Sequence, residues 1–391
     1  MRVLHVGSGN LYGGVETYLV TLARLRHLCP AMEPEFALCF AGRLSQELQA
    51  HNVNVHSLGE VRSRFPWTVA RARRALKELL RREGYDVVVC HSAWTQAIFG
   101  PVVRRTGGPM KTPLVFCLHN AAENRHWLER WAARVVPDYV LCNSRYTQST
   151  LGKMYPGVKS NVAYFPVVVP QKFTLAERMA VRLELQTPAE AVVIVQVSRM
   201  EAWKGHSLHL QALADLPRNA NWVAWIVGGG QRASEVEYVA RLKEKAREIE
   251  VACRLRFTGQ RNDVARLLSA ADIFCQPNLG PEPFGISFIE ALNAGLPVVS
   301  TALGGALEIV DDTCGILVSP NDAPALAGTL CQLVTDPEMR RKLRSQSTLR
   351  AQRLCDPERQ MRILERNLTS TIVQKSGTSH VSEGSPSPVS S

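Results

Sequence analysis

Short apolar runs alternate with longer amphipathic stretches along the whole chain. Arg2–Val6, Phe36–Phe40, Val87–His91, Leu114–Leu118 and Tyr139–Asn143 read as buried strands in the first part. Val192–Val197, Trp222–Val227, Arg254–Thr258, Ile273–Gln276 and Pro297–Thr301 read the same way in the second. Most are short and nearly continuous in apolar side chains, the pattern of a strand covered on both faces. Between many of them the apolar positions take helical spacing, as in Val15–His27, Trp67–Arg82, Glu235–Glu250 and Val264–Ala271. Strands alternating with helices predict an α/β fold of parallel sheets clothed by helices.

The two series are separated by Phe165-Pro-Val-Val-Val-Pro170, an extended apolar run between prolines that cannot be helical. It predicts a boundary near residue 170, with one Rossmann-like domain over 1–170 and a second over 171–354. A late helix at about 355–370 is expected to pack back on the first domain. The Ser-, Gly-, Thr- and Pro-rich segment 371–391 is expected to be a disordered tail. Two doubly wound sheets facing each other would enclose an interdomain cleft, with ligands beyond the carboxyl ends of the strands.

Composition narrows the class. The chain has 391 residues, enough for two cores, with 46% hydrophobic and 21% charged residues, as in soluble enzymes. No apolar run approaches the roughly 20 residues that span a bilayer. The N-terminus reads as a strand entering a glycine-rich loop, not as a signal peptide. Ten cysteines show no Cys-x-x-Cys pair and no zinc spacing; Cys39, Cys90, Cys117, Cys142 and Cys275 lie in apolar runs. They are expected as buried hydrophobes in a reducing cytoplasm. The net charge of +11 is uneven: residues 1–170 hold 21 Lys and Arg against 11 Asp and Glu. That half should meet an anionic partner, such as a membrane surface, an acidic polymer or nucleic acid.

The strongest chemical signal is Pro277-Asn-Leu-Gly-Pro-Glu-Pro-Phe-Gly-Ile-Ser-Phe-Ile-Glu-Ala-Leu-Asn-Ala-Gly-Leu-Pro-Val-Val-Ser300. A strand ends near Gln276, a Pro/Gly loop follows, and a helix starts near Phe284 or Gly285 and stops at Gly295. Free amides at Gly285, Ile286 and Ser287, with the positive helix end, suit a diphosphate. Glu282 stands just before that helix. Glu290 lies within it among hydrophobes, where a carboxylate needs a partner. Carboxylates accept hydrogen bonds from hydroxyls, so sugar and ribose are natural ligands.

Glu282 and Glu290 with the following Ala-Leu-Asn-Ala-Gly-Leu-Pro-Val-Val resemble the signature of the retaining glycosyltransferase family four, which has the GT-B fold. Three further segments resemble the same family: Val197-Ser-Arg-Met-Glu-Ala-Trp-Lys-Gly-His206, Phe257-Thr-Gly-Gln to Asp272, and Gly304-Gly to Gly315-Ile-Leu-Val. The likeness covers about 191–329 densely. It implies that Arg199 and Lys204 grip the donor phosphates, with Glu282 on the sugar and Glu290 on the ribose. Phe284, Gly285, Ile286 and Ser287 would complete the donor site. Gly259 and Arg261 would line the base, mostly through backbone. Two fixed cations can neutralise a leaving diphosphate. No Asp-x-Asp metal element occurs, so neither a catalytic metal nor a cofactor is expected.

In the first half, Gly13 and Gly14 let backbone approach a ligand closely at the start of a helix; the stretch from Gly7 to Glu16 resembles the family's first glycine-rich loop, which implies a contact with donor phosphate and acceptor there. A dinucleotide fingerprint is disfavoured because no acidic residue follows the second strand. His119, at the end of Leu114–Leu118, falls where the family has a histidine touching the donor sugar. His91 and Glu16 are assigned to the acceptor side. Residues 61–82 form a basic amphipathic helix with Val69, Ala72, Leu76, Leu79 and Leu80 as its apolar stripe, either a solvated surface or a contact with anionic lipid. Val227-Gly-Gly-Gly-Gln231 departs from the family's Gly-Asp-Gly, and the crossover lacks its Pro-Asn-Gly.

The resemblance implies transfer of a hexosyl group from a nucleotide diphosphate sugar, UDP ranked before GDP, to a hydroxyl acceptor on a glycan or lipid-linked precursor. Configuration would be retained, with the departing phosphate accepting the acceptor's proton and domain closure excluding water. The expected location is cytoplasmic, with peripheral contact at the inner membrane face and no nucleic acid as partner. The alternatives are a non-catalytic sugar-nucleotide-binding protein and a nucleotide-sugar epimerase.

Overall fold

The computed structural model describes residues 1–62, 64–106, 112–123 and 125–380, with side chains through Lys375. The chain divides into two compact units, Met1–Pro166 with the segment from Pro357 onward, and Val167–Asp356. No helix among the described residues is long and apolar enough to cross a membrane.

The first unit is built on seven parallel strands: β1 Arg2–Gly7, β2 Glu33–Leu38, β3 Val55–Ser57, β4 Val87–Cys90, β5 Leu114–Leu118, β6 Tyr139–Cys142 and β7 Ser160–Val162. Their order is β3-β2-β1-β4-β5-β6-β7. Alternation sends Leu4, Val6, Val88, Cys90, Phe116 and Leu118 into one core with Ala72, Leu76 and Leu79 of the helix Pro66–Glu83. The opposite face carries His5 and Cys117. β2 begins at Glu33, earlier than the apolar run suggests. Its Glu35 is buried because Arg2, His56 and Tyr85 all bond its carboxylate at 2.7 Å. Burial alone would raise that carboxyl; the bonds from His56, Arg2 and Tyr85 outweigh it and hold the pKa down at about 2.

The helix Pro357–His380 belongs to the first unit. Asn367 accepts from Tyr139 and Asn161, each at 3.2 Å, and Lys375 pairs with Asp138. The disorder expected from residue 371 is thus corrected for 371–380, where Thr371 is buried and the helix continues. Tertiary contacts override the polar composition there. The remainder of that expected tail, 381–391, lies outside the described residues.

The second unit holds six parallel strands: β8 Val192–Val197, β9 Trp222–Val227, β10 Leu255–Gly259, β11 Ile273–Gln276, β12 Val298–Thr301 and β13 Gly315–Val318. They run in the order β10-β9-β8-β11-β12-β13. One face packs Ile194, Ala224, Ile273, Cys275 and Val299 against Leu210, Leu213, Leu326 and Leu330. Both sheets change winding direction beside their first strand, β1 or β8, the arrangement that leaves ligand space at strand carboxyl ends. Cys39, Cys90, Cys117, Cys142 and Cys275 are all buried thiols.

Candidate functional site

In the second unit, the end of β11 and the loop after it assemble a polar cluster. Lys204 Nζ lies 2.6 Å from Glu282 Oε2. Gln276 and Asn278 donate to the same oxygen at 3.2 and 3.1 Å. Glu282 Oε1 takes no hydrogen bond among the described residues and is the oxygen left for a ligand hydroxyl. Lys204 also sits 3.9 Å over the Trp203 ring. Gly205 has φ +74, and a Cβ there would stand 1.7 Å from the Pro277 carbonyl oxygen. Only glycine lets the Lys204 turn lie against the Glu282 loop. From behind, Gln196 donates to the Lys204 carbonyl at 2.9 Å and contacts His209 Nδ1 at 2.8 Å.

Gly304 and Gly305 seat the other side of that loop. Gly305 N–H donates to the Glu282 carbonyl at 2.6 Å, and a Cβ on Gly304 would meet that oxygen at 2.4 Å. The helix Ile286–Asn293 opens at Gly285, whose φ is +108. The amides of Gly285, Ile286 and Ser287 make no hydrogen bond among the described residues, so this helix end can receive an anion. Phe284 is buried beside it and Ser287 Oγ donates to Gln276 at 3.3 Å. Glu290 has no carboxylate partner among the described residues, and burial pushes its carboxyl up to about 7.

Arg199 is less open than its motif implies. Its guanidinium pairs with Glu235 at 2.6 Å and Glu201 at 3.2 Å. Glu235 also accepts from the Gln231 N–H at 2.7 Å. Burial would raise the Glu235 carboxyl, but bonds from Gln231 and Arg199 hold it below the usual range. The Arg261 side chain is engaged within the protein: it forks onto Asp263 with two bonds of 2.8 Å and reaches Glu184 at 2.5 Å. Its backbone remains, as does open space beside Gly259, where an added Cβ would meet nothing within 4 Å.

In the first unit, the helix Gly14–Leu25 starts at Gly13, whose N–H donates to Glu16 at 3.0 Å. Glu16, assigned to the acceptor, thus caps its own helix. His119 is 7% exposed, with Asn143 donating to its carbonyl at 2.9 Å. His91, also assigned to the acceptor, is corrected to an inward position. It is 2% exposed, and its nitrogens bond His5 at 2.9 Å and His119 at 3.0 Å. His5 escapes notice in the sequence because one histidine in Arg2-Val-Leu-His-Val-Gly leaves a strand pattern intact. Among the described residues, one His/Cys group, His91, Cys117 and His119, has ligand atoms within 4.8 Å. The His91 and His119 nitrogens that approach each other are already bonded together, which makes the group an imidazole array and not an open metal centre.

Both units match known proteins. The family model described as Glycosyl transferases group 1 matches residues 179–350, and Glycosyltransferase Family 4 matches residues 12–169. A lipopolysaccharide core biosynthesis glycosyltransferase of Rhizobium meliloti is 29% identical over 213 residues, 53% of this chain and 56% of that protein. A D-inositol 3-phosphate glycosyltransferase of Corynebacterium urealyticum is 31% identical over 211 residues, 50% of this chain and 48% of its own. The chain thus spans about half the length of these curated relatives. Among solved structures, Anabaena HepE in complex with UDP-glucose has TM-score 0.82 at 23% identity, covering 95% of this chain and 100% of that one. WaaG, a glycosyltransferase involved in lipopolysaccharide biosynthesis, has TM-score 0.69 at 18% identity, covering 93% and 99%. Those likenesses are of fold, and the fold is GT-B.

Proposed function

This chain belongs to the group 1 glycosyl transferases, and from that premise we propose that it moves a hexosyl group from a nucleotide diphosphate sugar to a hydroxyl acceptor with retention of configuration. The observation that carries the reading is the Lys204–Glu282 pair. A cation and a carboxylate, each about nine-tenths buried, are held at a strand end by Gln276 and Asn278. Such a pair costs desolvation that an apolar pair would avoid, and it stands at the carboxyl end of β11, where doubly wound sheets bind ligands.

In this reading Lys204 and the amides of Gly285, Ile286 and Ser287 take the diphosphate, and Arg199 joins by sharing its charge between Glu235 and phosphate. Glu282 Oε1 accepts from a sugar hydroxyl, and Glu290 accepts from the ribose. His119 meets the transferred sugar, while Gly13 and Gly14 let backbone near the donor. Fixed cations and amides stabilise the leaving diphosphate as charge develops, the work done elsewhere by a divalent metal; no metal is required. The departing phosphate oxygen takes the acceptor's proton on the same face.

UDP is the first base to test, since HepE is described with UDP and UDP-glucose. GDP is second; a mannosyltransferase of Mycolicibacterium smegmatis, 29% identical over 281 residues, is described as GDP-mannose-dependent. The acceptor is a glycan or lipid-linked precursor. A peripheral membrane contact through the helix Pro66–Glu83 is supported by exposed Trp67, Arg71, Arg74, Lys77, Arg81 and Arg82. A thermal-shift panel of UDP- and GDP-sugars tests the donor: the matching one raises the melting temperature with log concentration. If none does, the reading fails.

A further inference from the structure

Three histidines cross the first sheet in one hydrogen-bonded line. β1, β4 and β5 are neighbours, and register sets His5 opposite Val89 and Cys90 opposite Phe116. His91 and His119 therefore each stand two residues beyond the partner position on the preceding strand. With a side-chain period of two, all three rings lie on one face and climb toward the carboxyl edge. His5 Nδ1 meets His91 Nε2 at 2.9 Å, and His91 Nδ1 meets His119 Nε2 at 3.0 Å. Tyr18 and Phe165 pack on the His119 ring. The outer atoms, His5 Nε2 and His119 Nδ1, are buried without a partner. Burial holds His5 and His119 neutral, with pKa values lowered to about 3, and also holds His91 well below the usual imidazole range, aided by its two neighbours.

A neutral imidazole carries one N–H and one lone pair. Each contact here joins an Nδ1 to an Nε2 and needs one hydrogen. If His91 is protonated on Nδ1, its Nε2 must accept from His5 Nδ1–H, and His119 must carry its proton on Nδ1. If His91 is protonated on Nε2, all three rings are. Any mixed set faces two hydrogens or two lone pairs at about 3 Å in a dry site, which buried polar groups avoid. The free atom of His119 is thus a donor in one array and an acceptor in the other.

We propose that His5 and His91 are positioning residues that fix, through coupled tautomers, whether His119 Nδ1 donates to or accepts from a hydroxyl of the donor sugar. The sugar contact rests on the function proposed above; the coupling does not. It makes His5, 1% exposed and joined to His119 through His91, a determinant of donor recognition.

The test is two-bond 1H–15N correlation spectroscopy of the full chain labelled with 15N-histidine, without substrate. Rings are assigned by single substitutions, His5→Asn, His91→Asn and His119→Asn. The expected spectrum has one tautomer shared by all three rings. In His5→Leu the His119 nitrogens shift toward the average of two tautomers while histidines outside the array keep their shifts. Mixed tautomers in the native chain, or an unmoved His119 in His5→Leu, overturn the proposal. Should His5→Leu not fold, His5→Asn serves, since its amide can offer either a donor or an acceptor to His91. His91 and His119 should then still match each other, and a mismatch overturns the coupling. Donor transfer by His119→Ala, measured separately, reports on the sugar contact: unchanged transfer removes that assignment and leaves the tautomer result standing.

Discussion

Lys204 Nζ stands 2.6 Å from Glu282 Oε2, with the two side chains 13% and 11% exposed. Removing one member of a buried pair costs about 3–5 kcal/mol, because the other charge is left behind. The two halves are not equivalent. Without Lys204, Glu282 keeps donors from Gln276 and Asn278; without Glu282, Lys204 keeps, among the described residues, only the Trp203 face. Glu282→Ala should therefore lower the melting temperature more than Lys204→Ala, by several degrees. Lys204→Met with Glu282→Gln should recover much of the loss while transfer stays at least tenfold down. Calorimetry and a transfer assay decide; equal melting points in the two single variants contradict the arrangement.

Glu290 gives a pH prediction. Its carboxyl is raised from 4.5 to about 7 by burial. The folded state thus holds a proton that the unfolded state releases, and stability declines as pH rises from 4.5 to 7. At pH 8, Glu290→Gln should stabilise the ligand-free protein by up to about 3 kcal/mol. Ribose hydroxyls donate to the ionised form, so nucleotide affinity in the wild type should fall as pH drops below 7. Titration calorimetry at pH 6 and 8 checks this. A pH slope that persists in Glu290→Gln assigns it elsewhere.

Buried histidines make the protein acid-sensitive. His5, His119 and His209 are lowered to about 3, and His206 to about 4, each chiefly by burial. The unfolded chain binds these protons near pH 6.5, the folded chain only near 3–4. Stability should therefore fall below pH 6.5, by up to about 1.4 kcal/mol per pH unit for each ring. Urea midpoints at pH 7 and 5 measure it, and His209→Gln should flatten the slope by one proton. Midpoints that do not move between those values contradict it.

The basic helix gives a surface prediction. Trp67 and Trp127 are 65% and 52% exposed, and Arg64, Arg71, Arg74 and Lys77 lie outside the core-facing stripe. Vesicles with anionic lipid should float the protein at low salt, and salt should release it. Trp67→Ala with Arg71→Glu and Arg74→Glu should abolish flotation without changing donor binding. Equal flotation on neutral vesicles contradicts an electrostatic contact.

Central strands were legible because burial on both faces makes them apolar runs: Leu114–Leu118, Val192–Val197, Trp222–Val227 and Ile273–Gln276 match residue for residue. β3 and β7 were not, since Val-His-Ser and Ser-Asn-Val are three residues long and carry no such run. β13 is no plainer, since Gly-Ile-Leu-Val offers only three apolar side chains after its glycine. In the site, Lys204, Glu282 and Glu290 announced themselves by local spacing. Glu235 did not, because only the Gly228–Gly230 turn brings its helix to Arg199. Likewise Gln276 and His5 look like ordinary strand residues until the loop after β11 returns Glu282 to the first and the neighbouring strand β4 carries His91 to the second. One signal was available: period-two alternation puts His5, His91 and His119 on the same kind of face.

The most direct test is UDP binding measured by calorimetry in the presence of EDTA, on the wild type and on Lys204→Ala. Lys204 and the Gly285 helix end, with Arg199, are proposed to hold the diphosphate without a metal. The wild type should therefore bind with metal removed, and Lys204→Ala should lose at least tenfold in affinity, about 1.4 kcal/mol. Binding that appears only when a divalent ion is added, or that Lys204→Ala leaves unchanged, would contradict it.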